Sequence, residues 1–153
     1  MANTYTQIYI QTVFVVKYRA AVIDPSWKPQ LCGLIGNLIN EEGNKTIIVN
    51  GVSDHIHCFF GLKPTEAISD IMRVVKSKSS KWINENHLTH SRFEWQEGYG
   101  AFSYAHSQLN SVYKYFENQE ARHEKVSFQK EYLDFLKKFE VPYDERYIFE
   151  ELV

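Results

Sequence analysis

Apolar residues recur along the first part of this chain with two different spacings, which predict a strand and then a helix. Residues 4–18 are rich in β-branched and aromatic side chains in a two-residue phase, which is typical of a long strand. After a break at Asp24-Pro25-Ser26, leucine and isoleucine recur every three to four positions over residues 26–42, which predicts a helix. Gly43 follows as a helix-ending residue.

The middle of the chain predicts a hairpin followed by a second helix. Residues 45–52 and 55–62 are apolar runs separated only by Ser53-Asp54, so they are expected to pair as antiparallel strands. Lys63-Pro64-Thr65 stops the second of these strands and caps a helix over residues 66–86. One face of this helix is apolar and the other is polar, so its apolar face is expected to pack on the sheet.

The remainder of the chain completes an α+β plan. The predicted elements are a strand over residues 92–104, interrupted by Gly98 and Gly100, helices over residues 108–123 and 128–139, and a mixed tail over residues 141–153. The order β-α-β-β-α-β is ferredoxin-like: a four-stranded antiparallel sheet with two helices on one face. The chain is therefore predicted to be one domain over residues 1–153, with a core at 4–104. The additional C-terminal helices, at 108–123 and within 128–153, are expected to cover the open face of the sheet.

Composition narrows the class of protein. The chain has 153 residues, of which 44% are hydrophobic and 24% charged, as in an ordinary globular domain. The formal net charge of −2 argues against a protein that coats duplex DNA, although it leaves room for a local basic face. Cys32 and Cys58 lie in apolar stretches without paired spacing, which indicates free buried thiols in a reducing compartment. Without a leader or a membrane-length apolar run, the protein is expected to be cytoplasmic.

Two histidines in the predicted strand over residues 55–62 form a candidate metal site. Residues i and i+2 of a strand face the same side about 7 Å apart, so His55 and His57 project from one face of the sheet. Such a pair of imidazoles can supply two of the ligands of a divalent-metal site. The alternative is two polar side chains on a solvated strand face. Asp54 is expected to shape the hairpin turn.

The predicted helix over residues 108–123 carries a tyrosine away from its apolar stripe. That stripe consists of Leu109, Val112, Tyr113 and Phe116. Tyr115 lies on the polar side, and Gln119 is one turn further on, so both side chains reach the same region. His123 is another turn along the helix. Tyr115 is either a packing residue at the rim or a nucleophile towards phosphorus, if a divalent cation polarises a phosphodiester.

Together these patterns resemble a known family. Asp54-His55-Ile56-His57 is similar to the histidine–hydrophobic–histidine motif of HUH nucleases. Residues 113–119 (YKYFENQ) resemble the nucleophile helix of insertion-sequence single-tyrosine transposases, including their REP-associated relatives. Residues 95–103 (WQEGYGAFS) are similar to the stretch that precedes that helix in the same group. The resemblance spans essentially the whole chain. A His-x-His strand followed by a Tyr-x-x-x-Gln helix is far more specific than either motif alone.

The resemblance implies a metal-dependent transposase that cleaves and rejoins single-stranded DNA at hairpin-marked element ends. Tyr115 is then the nucleophile, which forms a covalent 5′-phosphotyrosine intermediate. His55 and His57 are then metal ligands, with Gln119 as the third; His123 is an alternative because imidazole is the better donor for borderline metals. The expected cofactor is Mg²⁺ or Mn²⁺. The protein is expected to be a homodimer, with its active site built within one subunit or across two.

Basic residues in two places are candidate contacts to DNA phosphates. They are Arg73, Lys76 and Lys81 on the second predicted helix, and Lys17 and Arg19 at the end of the first predicted strand. In each case the alternative is a solvated charged face. Two other functions also stay open: a domesticated hairpin-DNA-binding protein without transposition activity, and a metal-dependent hydrolase that acts through water.

Overall fold

The computed structural model describes residues 4–118 and 128–141. Its strands are β1 Tyr9–Val15, β2 Lys45–Val52, β3 His55–Gly61 and β4 Gly100–Tyr104, and its helices are α1 Lys28–Glu41, α2 Ile68–Glu85, α3 Leu109–Glu117 and α4 Phe128–Lys138. The strands form one antiparallel sheet in the order β2-β3-β1-β4. This order and the β-α-β-β-α-β succession confirm the predicted ferredoxin-like α+β fold.

The central strand β3 divides its side chains between the two faces of the sheet, as the two-residue period of a strand requires. Ile56, Cys58 and Phe60 enter the main core together with the apolar faces of α1 and α2. Phe59 lies on the opposite face, in a separate cluster with buried side chains of α3. The histidines of the same strand share the face of Phe59, because they stand two and four residues before it.

Helices α3 and α4 cover the face of the sheet opposite α1 and α2, as the sequence predicts. α3 buries Val112 and Phe116 against Phe59 of β3. α4 packs Leu136 against Val13 of β1 and neighbouring buried side chains. The histidines of β3 therefore lie under a second layer of helices instead of facing open solvent.

β1 spans Tyr9–Val15, so it is shorter at both ends than the predicted strand over residues 4–18. Tyr18 and Arg19 adopt φ angles of 59° and 54°. This left-handed conformation is incompatible with continued pairing in a sheet, so the chain turns away here.

Most of the predicted strand over residues 92–104 also lies outside the sheet. β4 pairs with β1, and ahead of it Trp95 forms an isolated antiparallel bridge with Val16. The segment ahead of β4 is also bonded to side chains of α2. The Asn84 side chain accepts a hydrogen bond from the N–H of Phe93 at 2.7 Å and donates to its carbonyl at 3.0 Å. The ammonium of Lys76 donates to two carbonyls of the same segment, both at 2.7 Å. Helix side chains thus satisfy backbone groups that a strand would pair with its neighbours.

Gly51 in β2 is a position where an added side chain would strike the neighbouring strand. A Cβ there would lie 2.3 Å from the carbonyl oxygen of His55. Because that oxygen belongs to the backbone, Gly51→Ala is expected to lower the free energy of unfolding by about 3 kcal/mol, measured by urea denaturation. Gly33→Ala in α1 is the matched control, since nothing lies within 4 Å of its added methyl group. It is expected to raise the free energy by about 0.5–1 kcal/mol because alanine favours a helix. Equal effects of the two changes would contradict this packing.

Candidate active site

His55 and His57 lie side by side on the face of the sheet that α3 and α4 cover. Both residues are buried, with exposed fractions of 0% and 1%. Their ring centroids are 5.1 Å apart and the ring planes meet at 72°. The burial of both rings excludes the alternative of a solvated strand face, and buried polar rings need specific partners.

Each imidazole is anchored through its Nδ1 atom. In His55, Nδ1 lies 2.6 Å from Oδ1 of Asp54, so this residue of the hairpin turn also orients the ring. In His57, Nδ1 lies 2.9 Å from Nε2 of Gln11. A histidine that is held at one ring nitrogen commonly binds a metal through the other. The Nε2 atoms of His55 and His57 are therefore the two that can bind a divalent cation.

Gln11 in β1 links His57 to Tyr104 in β4. The hydroxyl of Tyr104 donates to Oε1 of Gln11 over 2.7 Å, and the Gln11 amide nitrogen donates to Nδ1 of His57. Burial raises the pKa of Tyr104, so its hydroxyl keeps the proton that it donates. With this amide orientation, neutral His57 carries its proton on Nε2. Metal binding at Nε2 requires the Gln11 amide to turn over and accept a hydrogen bond from Nδ1–H.

Tyr115 projects from α3 onto the histidine pair. The centroid of its half-buried ring lies 5.9 Å from that of His57, at an interplanar angle of 82°. Tyr115 also lines a cavity of about 250 Å³ together with Gln11, Tyr104 and Glu131 of α4. The structure thus brings the predicted nucleophile and a predicted metal ligand together beside one cavity.

The packing of α3 explains why Tyr115 faces inward. Val112 and Phe116 are buried, and the side chain of Asn50 in β2 donates to the carbonyl of Phe116 over 2.7 Å. Tyr113, which the sequence places in the apolar stripe, is 42% exposed. That part of the prediction is wrong, because the buried face of the helix is rotated towards Tyr115.

The described residues do not define the third metal ligand. Gln119, predicted in that role, and His123, its alternative, lie outside the part of the chain that the structure describes. Within residues 4–118 and 128–141, no three His, Cys, Asp or Glu side chains are grouped so as to hold a metal ion. The two buried imidazoles fit a divalent cation, since each is anchored at Nδ1 and has a second nitrogen for coordination.

Gln11, Tyr104 and Glu131 are site residues that the sequence patterns do not identify. Gln11 is fully buried, and a glutamine among the apolar residues of a strand is a signal that points to such a role. Glu131 is 1% exposed, and its Oε1 lies 3.4 Å from Nε2 of His57. No sequence signal distinguishes it from the other acidic residues of its helix, because its burial results from the packing of α4 on the sheet.

The two cysteines are free thiols outside this constellation. Burial raises the pKa of Cys32 to about 11, and it also raises the pKa of the fully buried Cys58. Both thiols are therefore protonated at neutral pH, so neither is a ready nucleophile.

The predicted DNA-contact residues of α2 have different surroundings. Arg73 and Lys81 are exposed, and Lys81 lies 3.7 Å from Glu85 on the same helix. Lys76 is half-buried, and its ammonium donates to the backbone carbonyls described above. Burial lowers its pKa. Lys76 thus has a structural role in holding the segment before β4.

The predicted DNA-contact residues at the end of β1 lie in the turn with left-handed backbone. Lys17 pairs with Glu94 at 3.2 Å, and its ammonium lies 5.6 Å from the ring centroid of Tyr18. Tyr18 is 42% exposed, whereas Arg19 is half-buried. This turn therefore presents an exposed aromatic ring beside positive charge.

The described helices lack the combination of length and apolar character that crossing a membrane demands. This finding concerns residues 4–118 and 128–141 only.

Comparison with solved structures supports the fold. A candidate transposase from Deinococcus radiodurans R1 superimposes with a TM-score of 0.60 at 17% identity, over 78% of this chain and 96% of that chain. A REP-associated tyrosine transposase bound to a REP hairpin superimposes with a TM-score of 0.61 at 12% identity, over 100% of this chain and 98% of that chain. At these identities the likeness is one of fold.

Comparison with protein-family profiles identifies the family of this chain. Curated protein sequences contain no match to this chain. The profile of the family described as "Transposase IS200 like" matches residues 4–119, which is well over half of the chain. That range includes both histidines and Tyr115. The chain therefore belongs to the IS200-like transposase family, a family of DNA-processing enzymes.

Proposed function

We propose that this protein is a metal-dependent transposase that cleaves and rejoins single-stranded DNA at hairpin-marked ends through a covalent 5′-phosphotyrosine on Tyr115. The observation that carries the proposal is the position of the Tyr115 ring, 5.9 Å from the ring of His57. A phenol beside a buried pair of imidazoles suits nucleophilic attack on a phosphodiester at a metal site. Membership of a transposase family supports the DNA-processing part of the proposal.

In the proposed reaction, each residue of the site has a separate task. His55 and His57 would hold Mg²⁺ or Mn²⁺ through Nε2, with Gln119 as the third ligand. A divalent cation held there would supply Lewis-acid polarisation of the scissile phosphodiester. The Tyr115 oxygen attacks phosphorus and the bond to the 3′-oxygen breaks, which leaves a 5′-phosphotyrosine and a free 3′-OH. A 3′-OH then attacks the phosphotyrosine and releases Tyr115, so strands are rejoined without ATP.

The proposed substrate is single-stranded DNA that carries hairpins. One structural relative is bound to a REP hairpin, and we extend that kind of substrate to this chain. Exposed Arg73 and Lys81 on α2, together with Lys76, Lys17 and Arg19, are the proposed phosphate contacts. We also propose that the protein is a homodimer and that it is located in the cytoplasm, where it would encounter such DNA.

Gln11 offers a test of the proposed metal site. Gln11→Leu removes the partner of His57 Nδ1, so the orientation and tautomer of that ring are no longer fixed. We expect the affinity for Mn²⁺ to fall by about 10- to 100-fold, measured by titration calorimetry. Tyr104→Phe leaves the Gln11 amide in place and is expected to have a smaller effect. An unchanged affinity in Gln11→Leu would show that this relay does not support the metal site.

The experiment that tests the proposed function uses DNA from the flanks of the protein's own gene. Single strands from these flanks are incubated with the protein and Mn²⁺ and then resolved on a denaturing gel. The proposal predicts a covalent protein–DNA species with a free 3′-OH on the released fragment. Hairpin binding without cleavage would favour the domesticated DNA-binding protein instead. Cleavage without a covalent species would favour hydrolysis by water.

A further inference from the structure

The turn after β1 holds an exposed tyrosine in a backbone conformation that tyrosine rarely adopts. Tyr18 and Arg19 have φ angles of 59° and 54°, and this left-handed conformation is strained for a residue with a side chain. The N–H of Arg19 donates to the carbonyl of Val16 at 2.7 Å, and the N–H of Lys17 donates to the carbonyl of residue 94 at 3.1 Å. These bonds fix the turn. Because Tyr18 is 42% exposed, packing in the core does not account for a tyrosine at this position.

We infer that Tyr18 stacks on an unpaired base of single-stranded DNA, in a pocket between this turn and the loop after α2. The inference rests on the proposed function, because it adds a base-binding site to a protein that acts on single-stranded DNA. It differs from the phosphate contacts proposed above, since the aromatic ring binds the face of the base and not the backbone. Every base has such a face, so stacking tolerates any sequence.

The base pocket, lined in part by Tyr18, Thr89, Ser91 and Arg92, has room for a planar ring. Its volume is about 210 Å³, whereas a single water molecule needs only about 10–15 Å³. The hydroxyl of Thr89 donates to the carbonyl of Ser91 at 2.7 Å, so its oxygen remains an acceptor. Hydroxyl groups and a guanidinium can hydrogen-bond to the edge of a base whose face lies on the tyrosine.

The rim of the base pocket carries an excess of positive charge. Nζ of Lys17 lies 3.2 Å from Oε2 of Glu94, and Nε of Arg92 lies 3.9 Å from Oε1 of the same carboxylate. Two cations thus share one anion, in a chain whose formal net charge is −2. The ammonium of Lys17 is also 5.6 Å from the centroid of the Tyr18 ring. An aromatic ring with cations beside it suits a base together with its flanking phosphates.

The base pocket lies at the end of β1 nearest His55. Val15 is the partner of His55 in the register of β1 and β3, and Tyr18 follows three residues later. The N–H of Val16 donates to the carbonyl of Asp54 at 2.8 Å, which ties the turn to the residue before His55. A DNA strand with one base on Tyr18 is therefore anchored at the same end of the sheet as the histidine pair.

The test measures DNA binding by the full-length protein in EDTA, so that no metal-dependent cleavage occurs. The probe is a labelled single strand from the flank of the protein's own gene, and dissociation constants come from fluorescence anisotropy. We expect Tyr18→Asn to weaken binding by about 5- to 100-fold, the loss of one stacked base. Asparagine adopts the left-handed conformation readily, so this change removes the ring without straining the turn. Tyr18→Phe keeps the ring and is expected to retain wild-type affinity.

Removal of single bases from the probe shows whether the ring acts on a base. In a series of strands that each carry one abasic nucleotide, wild type is expected to lose about 5- to 100-fold in affinity at one unpaired position. Tyr18→Asn is expected to bind that abasic strand and the intact strand equally, because the partner of the base is already absent. Such non-additivity is the mark of a direct contact.

Two further variants separate stacking from charge and from exposure. Tyr5→Asn makes the same change at a tyrosine that is 89% exposed and precedes β1, and it is expected to stay within about twofold of wild type. Arg92→Gln is expected to reduce the slope of log affinity against log salt by about 0.7, the share of one phosphate on a single strand. Tyr18→Asn is expected to leave this slope unchanged, because stacking releases no counterion.

The thermal midpoint of the free protein distinguishes a lost contact from a lost fold. It is expected to be unchanged or raised in Tyr18→Asn, since asparagine suits this backbone better than tyrosine. Wild-type affinity in Tyr18→Asn, or an equal loss in Tyr5→Asn, would overturn the inference and leave the proposed transposase intact. Absence of single-strand binding by wild type would instead overturn the proposed function, and this inference with it.

Discussion

Tyr115→Phe will eliminate the covalent protein–DNA species while hairpin binding persists. The change removes one oxygen atom and keeps the ring, so the contact with His57 at 5.9 Å between centroids is retained. Without the phenolic oxygen, no bond to phosphorus can form, and we expect adduct formation below roughly one-thousandth of the wild-type rate. A denaturing gel measures the adduct, and a gel shift with hairpin DNA measures binding.

Tyr113 provides the matched control for this experiment. It stands on the same helix two residues earlier and is 42% exposed. Tyr113→Phe is therefore expected to form the adduct at the wild-type rate. If Tyr115→Phe forms the adduct and Tyr113→Phe does not, the nucleophile has been assigned to the wrong tyrosine.

His57→Ala will abolish the stabilisation of the protein by Mn²⁺ and reduce adduct formation. His57 provides one of the two Nε2 donors of the proposed metal site, and its ring also contacts Tyr115 and Phe116. At a concentration of 100 times its Kd, Mn²⁺ is expected to stabilise wild type by about 2.7 kcal/mol and to stabilise the variant by almost nothing. Adduct formation is expected to fall by at least about 100-fold, because even loss of a supporting residue around a metal costs 10- to 100-fold.

His90 serves as the control for the histidine substitution. It is exposed and lies in the loop after α2, on a part of the chain remote in sequence from the site. His90→Ala is expected to retain the full thermal shift with Mn²⁺. A thermal shift in His57→Ala equal to that of wild type would mean that the ion binds elsewhere.

The sequence predicts the order of the elements and the fact that both histidines lie on one face of the sheet, for a simple physical reason. The turn Ser53-Asp54 fixes the register of the hairpin, and the two-residue period of β3 then determines which side chains share a face. The position of Tyr115 could be predicted only in part. Its place on the helix could be predicted, but the rotation of α3 that turns Tyr115 inward and exposes Tyr113 depends on contacts with Phe59 in the sheet.

The contacts that complete the site could not be predicted, because they join residues far apart in the chain. Gln11 meets His57 across β1 and β3, and Glu131 reaches the same ring from α4. Of the strand predicted over residues 92–104, only Gly100–Tyr104 forms a regular strand, for a similar reason. Its aromatic residues favour a strand, yet side chains of α2, among them Asn84, bind the backbone of this segment.

The most direct measurement is the identification of the amino acid that becomes linked to DNA. Wild-type protein is incubated with single-stranded DNA and Mn²⁺, digested with protease and nuclease, and analysed by tandem mass spectrometry. We predict a nucleotide phosphate attached to Tyr115 through its phenolic oxygen. Attachment to any other residue, or cleaved DNA with no attached peptide, would contradict the account.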